Sequence, residues 1–548
     1  GYGAQSQRIW TAETDRTPAI AESISRDKDL TKELLRSCGI PVPEGRPVTS
    51  PEDAWRAAEE IGMPVVVKPC DGNHGRGVFI ELTSREEVES AYAVALAEGS
   101  GVLVERYVPG TEHRLLVVGS GLVAASRGDS VSVIGDGKST IRELIRDQIN
   151  SDPRRGSTED HPLNLVGMDG ATIMEIGRQG FGVDSVPPAG LEVLIQRNGN
   201  HAFDVTDKVH PSIAAAASLA ARVVGLDIAG IDLVARNISR PLAEQEGAIV
   251  EVNAGPGLLM HIKPAVGTPR PVGEAIIEHL FPDSRQSRIP VVGISGSCGK
   301  TALAHLIARL LRISGRHTGL ACSDGLYLDE RLVHKGDQAK WQAARNILMN
   351  RSVEAAVLEN GVEGILQEGL AYDGCHVGIL ANLDLERHLG YFGIETSEQV
   401  FDVLRTQVDV VLPEGAAILN ACEPMFVKMA ELCNGEVIYF SIDPDLSVIR
   451  EHRLKGTQGV GTVCGKRAVI LHSDEILLVD GPHEQRLARL SELSFSNPED
   501  DVEQIENILA AVASVWALDM EPALVRTGIE NFRGSRQILP NRPTGMAI

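Results

Sequence analysis

Val65-Val66-Val67-Lys68-Pro69, followed by Asp71-Gly72-Asn73-His74-Gly75-Arg76-Gly77-Val78, is the stretch on which the fold turns. Three consecutive valines read as a buried strand, and the strand ends on a lysine. Gly72, Gly75 and Gly77 follow within six positions and let backbone amides approach an anion closely. Val78-Phe79-Ile80 then resumes a strand. No helix follows the glycines, so the unit is not a dinucleotide-binding turn. It predicts a hairpin lid over phosphates, although alone it would serve equally as a surface hairpin.

Upstream, residues 27–38 predict a helix with Asp27 as N-cap, apolar Leu30, Leu34 and Leu35, and Gly39 as terminator. Pro51 to about Ile61 predicts a second, capped by Ser50 with Pro51 at its first position. Downstream, Val102 to Val108 reads as a strand running into a polar edge. Gly230-Ile231-Asp232-Leu233-Val234 and Ile249-Val250-Glu251-Val252-Asn253 are two further strands. Glu251 and Asn253 are two apart and share a face. Asp232 interrupts an apolar strand, which is costly unless the carboxylate meets a cation. Two carboxylates and an amide oxygen make a hard oxygen cluster suited to Mg²⁺ carrying ATP phosphates.

Composition narrows the classes. The 548 residues predict two to four domains, and 43% hydrophobic content supplies packed cores. Lys and Arg total 52 against 75 Asp and Glu, a formal charge of −23. That argues against nucleic acid and fits an anionic membrane surface poorly. The eight cysteines form no Cys-x-x-Cys pair, so zinc-type spacing along the chain is absent. Unpaired thiols in a large chain, with no long apolar run and no leader, predict a cytoplasmic protein.

The order lysine, Gly-rich hairpin, Glu-x-x-Val, Asp, Glu-x-Asn resembles the ATP-grasp fold. The resemblance implies an ATP-dependent carboxylate–amine ligase that makes an acyl phosphate for an amine to attack. By that resemblance Lys28 and Lys68 are the nucleotide lysines. Glu105 through Val108 form the adenine edge, and Glu112 contacts the ribose. Asp232, Glu251 and Asn253 hold Mg²⁺. Glu22, His74 and Arg114 match the catalytic shell, Arg114 stabilising the acyl phosphate and His74 or Glu22 taking the amine's proton.

The polar run Pro282 to Arg288 predicts a domain boundary. Beyond it, Val291 to Thr301 reads as a strand, a phosphate loop ending Gly299-Lys300-Thr301, and a helix over 302–312. Ile294 stands where a Walker motif has its first glycine, and the pattern resembles the Mur ligases. An ATP-grasp domain (1–286) followed by a Mur ligase-like α/β domain (290–548) resembles the cyanophycin synthetase family. Thr14-Asp15-Arg16-Thr17, Ile134-Gly135-Asp136-Gly137, Asp184 to Gly190 and Asp204-Val205-Thr206-Asp207 carry that likeness.

The resemblance also exposes departures. Val362 and Glu363 stand in Glu359-Asn360-Gly361-Val362-Glu363-Gly364-Ile365, where the family has an arginine and a glycine. Arg387-His388-Leu389-Gly390 has a cation where the family has an acid, and Lys340-Trp341-Gln342-Ala343-Ala344 replaces a Gly-Pro-x-Ser-Ala segment. The family's amino-terminal domain and the Mur carboxy-terminal lobe are expected to be missing. A loop before Ala202 is nearly absent. These features predict a vestigial second site (Lys300, Thr301, Glu359, His388). The first site would join β-aspartyl-arginine dipeptides to the cyanophycin polymer, as in the family's shorter, dipeptide-using type, within a homodimer. The alternatives are a full two-site enzyme using free aspartate and arginine, and a non-catalytic granule-binding protein.

Overall fold

The structure is a computed structural model and describes residues 1–71, 77–158, 160–197, 201–283, 287–455, 467–493 and 502–532. His74 therefore lies outside the described residues, as do Asn200 and Cys464. The chain divides into two compact units. One comprises Gln7–Pro282. The other comprises Asp283–Ile548 together with Gly1–Ser6. The first six residues join the second unit because the Ala4 amide donates to the Val353 carbonyl and the Tyr2 hydroxyl to Asp373.

In the Gln7–Pro282 unit, helices α1 (Ala19–Arg26) and α2 (Lys28–Ser37) follow one another. The Asp27 carboxylate accepts from the Leu30 amide and caps α2, and Gly39 turns the chain away at φ +75°. The buried face of α2 is Lys28, Thr31, Lys32 and Leu35, whereas Leu30 is 40% exposed. The inner face thus carries two lysines beside Leu35, because it closes a charged site. A four-stranded antiparallel sheet is built from β1 (Gly45–Val48), β2 (Val65–Pro69), β3 (Phe79–Leu82) and β4 (Val102–Arg106) in the order β1-β4-β2-β3. Val65, Val67, Val102 and Val104 bury one face against α3 (Pro51–Ile61) and α4 (Arg85–Glu98), at Ala54, Ala57, Val88 and Ala95. Strand alternation turns Lys68 and Glu105 to the opposite face. β4 stops at Arg106, so Val108 sits in a loop, against the expectation of a strand to 108. Pro109 supplies no N–H to continue the ladder.

A second antiparallel sheet has the order β7-β6-β5-β8-β9, from β5 (Thr111–Val118), β6 (Gly121–Gly128), β7 (His201–Asp204), β8 (Ile228–Ala235) and β9 (Ala248–Asn253). Leu115, Val117, Ile231, Leu233 and Val252 pack against α5 (Pro211–Val224). Asp232 pairs with Glu251 and Leu233 with Ile249, leaving Val250 as a bulge. The extra residue flips strand parity, so Ile249 joins the core while Glu251 and Asn253 face the other way.

The other unit is one eleven-stranded sheet. Its strands are β10 (Val291–Ser295), β11 (Thr318–Cys322), β12 (Gly325–Leu328), β13 (Arg331–Lys335), β14 (Ala355–Glu359), β15 (Cys375–Leu380), β16 (Val411–Asn420), β17 (Glu436–Ser441), β18 (Arg467–His472), β19 (Glu475–Asp480) and β20 (His483–Arg489). The order is β13-β12-β11-β14-β10-β15-β16-β17-β18-β19-β20. The seven central strands from β11 to β18 are parallel and the outer ones antiparallel. The central strands are apolar on both faces. Val292, Ala355 and Val357 pack against α6 (Lys300–Ile313) and α7 (Val502–Ala517), and Val291, Ala356 and Leu358 against the opposite helical layer. Among the described residues, no helix is long and apolar enough to cross a membrane.

Candidate active site

Three strands of the antiparallel sheet place a charged row side by side. Arg114 on β5 is in register with Asp232 on β8, and Asp232 with Glu251 on β9. Asp232 is 2% exposed. The Arg114 guanidinium grips it through two donors, Nε to Oδ1 and a terminal nitrogen to Oδ2 at 2.8 Å. Asn253 Nδ2 donates to Asp232 Oδ2 at 3.1 Å. With its amide nitrogen so engaged, the Asn253 oxygen is left to act as a hard ligand beside the two carboxylates. That donor set fits Mg²⁺.

The cations arrive from two other elements. Lys28 opens α2 and its Nζ lies 3.4 Å from Glu251 Oε1. Lys68 near the end of β2 reaches Glu105 Oε2 at 2.9 Å, and Lys32 grips Glu105 Oε1. Lys32, Lys68 and Glu105 are all below 10% exposed. Burial pushes the Lys68 ammonium down, opposed by Glu251, and pushes Lys32 well down with help from the neighbouring Lys68 charge. Three lysines around two carboxylates form a site that a polyanion completes. Lys32 was not among the residues read from sequence. It stands one helical turn beyond Lys28 on the same face, and that spacing was the available signal.

Glu112 lies two residues before Arg114 on β5. Burial, then the Asp232 charge, lifts its carboxyl to about 7. Its folded value is above the ordinary 4.5, so the stability it contributes is complete below about pH 4.5 and is lost as pH rises through about 7. That loss is expected in metal-free, nucleotide-free protein. Urea midpoints taken at pH 4.5, 7 and 8.5 should show Glu112→Gln lacking this component of the pH dependence. Equal slopes in both proteins would place the Glu112 carboxyl in the ordinary range.

The remaining catalytic expectations fare unequally. Glu22 on α1 pairs with Arg26 on its own helix, and among the described residues no hydrogen bond or ion pair joins it to Arg114. Arg114 itself is tied to Asp232, so its charge offsets a buried carboxylate as well as facing the site. Arg114→Ala is expected to lower turnover by on the order of 10²-fold. It should also cost about 3–5 kcal/mol of stability, because Asp232 is stranded. A stability loss without a rate loss beyond threefold would leave Arg114 a structural partner only.

The phosphate loop of the other unit is formed. The Ser297 and Cys298 amides donate to Asn382 Oδ1 at 3.1 and 2.9 Å, and Ser297 Oγ meets His388 Nε2 at 2.8 Å. Burial and the nearby Lys300 push the His388 imidazole down. Thr301 Oγ1 donates to Glu359 Oε2 at 3.0 Å, Ser323 Oγ donates to Oε1 at 2.7 Å, and Lys300 Nζ lies 3.9 Å from Oε1. Lys300 and Thr301 thus gather at Glu359, while His388 meets Ser297 of the same loop. Arg387 lies close enough for its charge to act on His388 and on Cys298 of the loop. Its side chain is 61% exposed and pairs with Asp384 at 3.2 Å, so water and that carboxylate screen the charge expected to repel a metal. Val362, in the place of the family's arginine, is 7% exposed and opens a short helix, Val362–Glu368.

Residues 294–477 match the Mur ligase middle domain, and residues 27–134 match the carbamoyl-phosphate synthase L chain ATP-binding domain. Together with the lysine cluster and the oxygen row, these define an ATP-grasp domain joined to a Mur ligase middle domain, the folds of ATP-dependent amide-forming ligases. The chain is a relative of the cyanophycin synthetases along its whole length. It is 36% identical to that of Trichormus variabilis over 99% of this chain and 60% of the relative, and 37% identical to that of a Synechocystis species over 99% and 62%. The chain thus spans about three-fifths of the length of these relatives. The chain is also 33% identical to a glutathione biosynthesis bifunctional protein of Clostridium perfringens, over 49% of this chain and 35% of that protein.

Proposed function

We propose that the chain is an ATP-dependent carboxylate–amine ligase that extends cyanophycin by whole β-aspartyl-arginine dipeptides at its ATP-grasp site. The observation that carries this reading is the contact of the lysine cluster with the oxygen row, through Lys28 and Glu251. It sets cations for a triphosphate directly beside hard ligands for a metal. A terminal carboxylate of the polymer attacks the γ-phosphorus of ATP and ADP leaves. The dipeptide's α-amine then attacks the acyl carbon, inorganic phosphate departs, and the amine's proton passes to a base. Lys28, Lys32 and Lys68 offset the charge gathered when one anion meets another. Asp232, Glu251 and Asn253 would hold Mg²⁺, which neutralises phosphate charge when bound.

The second site is read as silent because its motif lacks the family's arginine at Val362 and carries Trp341 in the altered Lys340–Ala344 segment. Turnover assayed with ATP, primer and either dipeptide or free aspartate plus arginine separates the readings. Dipeptide alone should support ADP release and chain growth. The two-site reading is favoured by one observation, the assembled Lys300–Thr301–Glu359–Ser323 cluster with Arg387 partly offset by Asp384. Growth on the free amino acids would establish that reading instead.

A further inference from the structure

A second set of metal-type donors lies apart from the ATP-grasp site and is used by nothing described above. His305 is on α6, one turn beyond Thr301. Cys322 ends β11, and Asp324 lies in the turn leading to β12. Cys322 is fully buried and His305 is 4% exposed, while the Asp324 side chain is 45% exposed. His305 Nε2 lies 3.1 Å from both Asp324 oxygens. Cys322 Sγ donates to Asp324 Oδ1 at 2.9 Å and lies 3.8 Å from His305 Nε2. The Tyr327 ring meets His305 edge-on with centroids 5.0 Å apart and restrains the imidazole.

We infer that His305, Cys322 and Asp324 form a zinc site with three protein ligands and a fourth position open to water. Tetrahedral zinc with bonds of about 2.0–2.3 Å asks for ligand atoms about 3.3–3.7 Å apart. The three atoms stand within about half an ångström of that spacing, so small rotamer adjustments seat the ion. Sulfur with imidazole selects zinc over magnesium, whose preference is for oxygen alone. On binding, the Cys322 thiol proton leaves to solvent, the zinc–sulfur bond forms, and the hydrogen bond to Asp324 is replaced by coordination. Burial and the Asp324 carboxylate keep that thiol protonated in the metal-free chain. The ion would clasp α6, which carries Lys300 and Thr301, to the β11–β12 turn. Sequence spacing conceals the site because its ligands come from a helix, a strand end and a turn, outside any Cys-x-x-Cys pattern.

Cobalt and zinc test this directly on the full chain after chelator treatment and desalting. One equivalent of Co²⁺ should produce a thiolate-to-cobalt band in the near ultraviolet. One zinc per chain should be retained and raise the unfolding midpoint. Zinc added to the weakly buffered chain should release about one proton per ion bound, from the Cys322 thiol, a readout that needs no variant. Cys322→Ser is expected to lose on the order of 100-fold in zinc affinity. Asp324→Asn, at an exposed position that tolerates change, is expected to lose on the order of tenfold. The absence of a cobalt band in the unaltered chain, or a band that survives Cys322→Ser, would leave the three side chains as a hydrogen-bonded triad and overturn the site. Should Cys322→Ser fail to fold, unchanged zinc affinity in Asp324→Asn overturns it equally.

Discussion

Lys68→Ala stops dipeptide-dependent ADP release, whereas Lys300→Ala leaves it within about twofold. That is the expected result if the ATP-grasp site alone does the chemistry. Lys68 is 7% exposed and shares Glu105 with Lys32. Its removal takes a fixed positive charge from where transferring phosphate oxygens must be stabilised. Comparable single-donor losses in other active sites are on the order of 10²–10³-fold. Lys32 remains to pair with Glu105, so the fold should survive, and a melting curve taken alongside checks this. Lys300 sits in the other unit, where it faces Glu359 at 3.9 Å. If that loop has no catalytic part, its charge is irrelevant to growth on dipeptide. Polymer made from separate aspartate and arginine, and lost in Lys300→Ala, would show both sites working.

Glu251→Gln is expected to abolish ligation while the protein remains folded. The substitution keeps the volume and removes one charge from the oxygen row. The side chain is 28% exposed, so the neutral amide creates no buried orphan. The loss acts twice, because Glu251 is also the ion-pair partner of Lys28. If the row holds Mg²⁺, that metal loses a charged ligand, and Lys28 loses its ion-pair partner. A fall on the order of 10³-fold in turnover is anticipated, with at most partial recovery at high Mg²⁺. Near-normal rates at saturating Mg²⁺ would remove Glu251 from the metal set. Lys28→Ala would then report whether the ion pair had any bearing on rate.

Much of the scaffold was legible one segment at a time. Asp27 and Ser50 announced helix starts because a capping side chain bonds amides only three residues away. Val65 to Lys68, Asp232 and Glu251-x-Asn253 announced strands with charges in unusual places, and burying charge demands a partner. The same local reading failed where a distant surface decided the outcome. The inner face of α2 belongs to Lys28 and Lys32 beside Leu35, which helix spacing alone did not assign. Val108 was expected in a strand and lies beyond its end.

The sequence by itself determined the order of elements, the P-loop and the oxygen row, since hydrophobic period, capping and strand parity act over a few residues. Only the tertiary structure decided which charges meet. Lys32 grips Glu105, 73 positions away in the chain. Arg114 answers Asp232 rather than standing free, Arg387 pairs with Asp384, and His305 converges on Cys322 and Asp324. The reason is physical. Coulomb energy and metal coordination depend on separations of a few ångströms and on burial, and neither quantity is written in the spacing of residues along a chain.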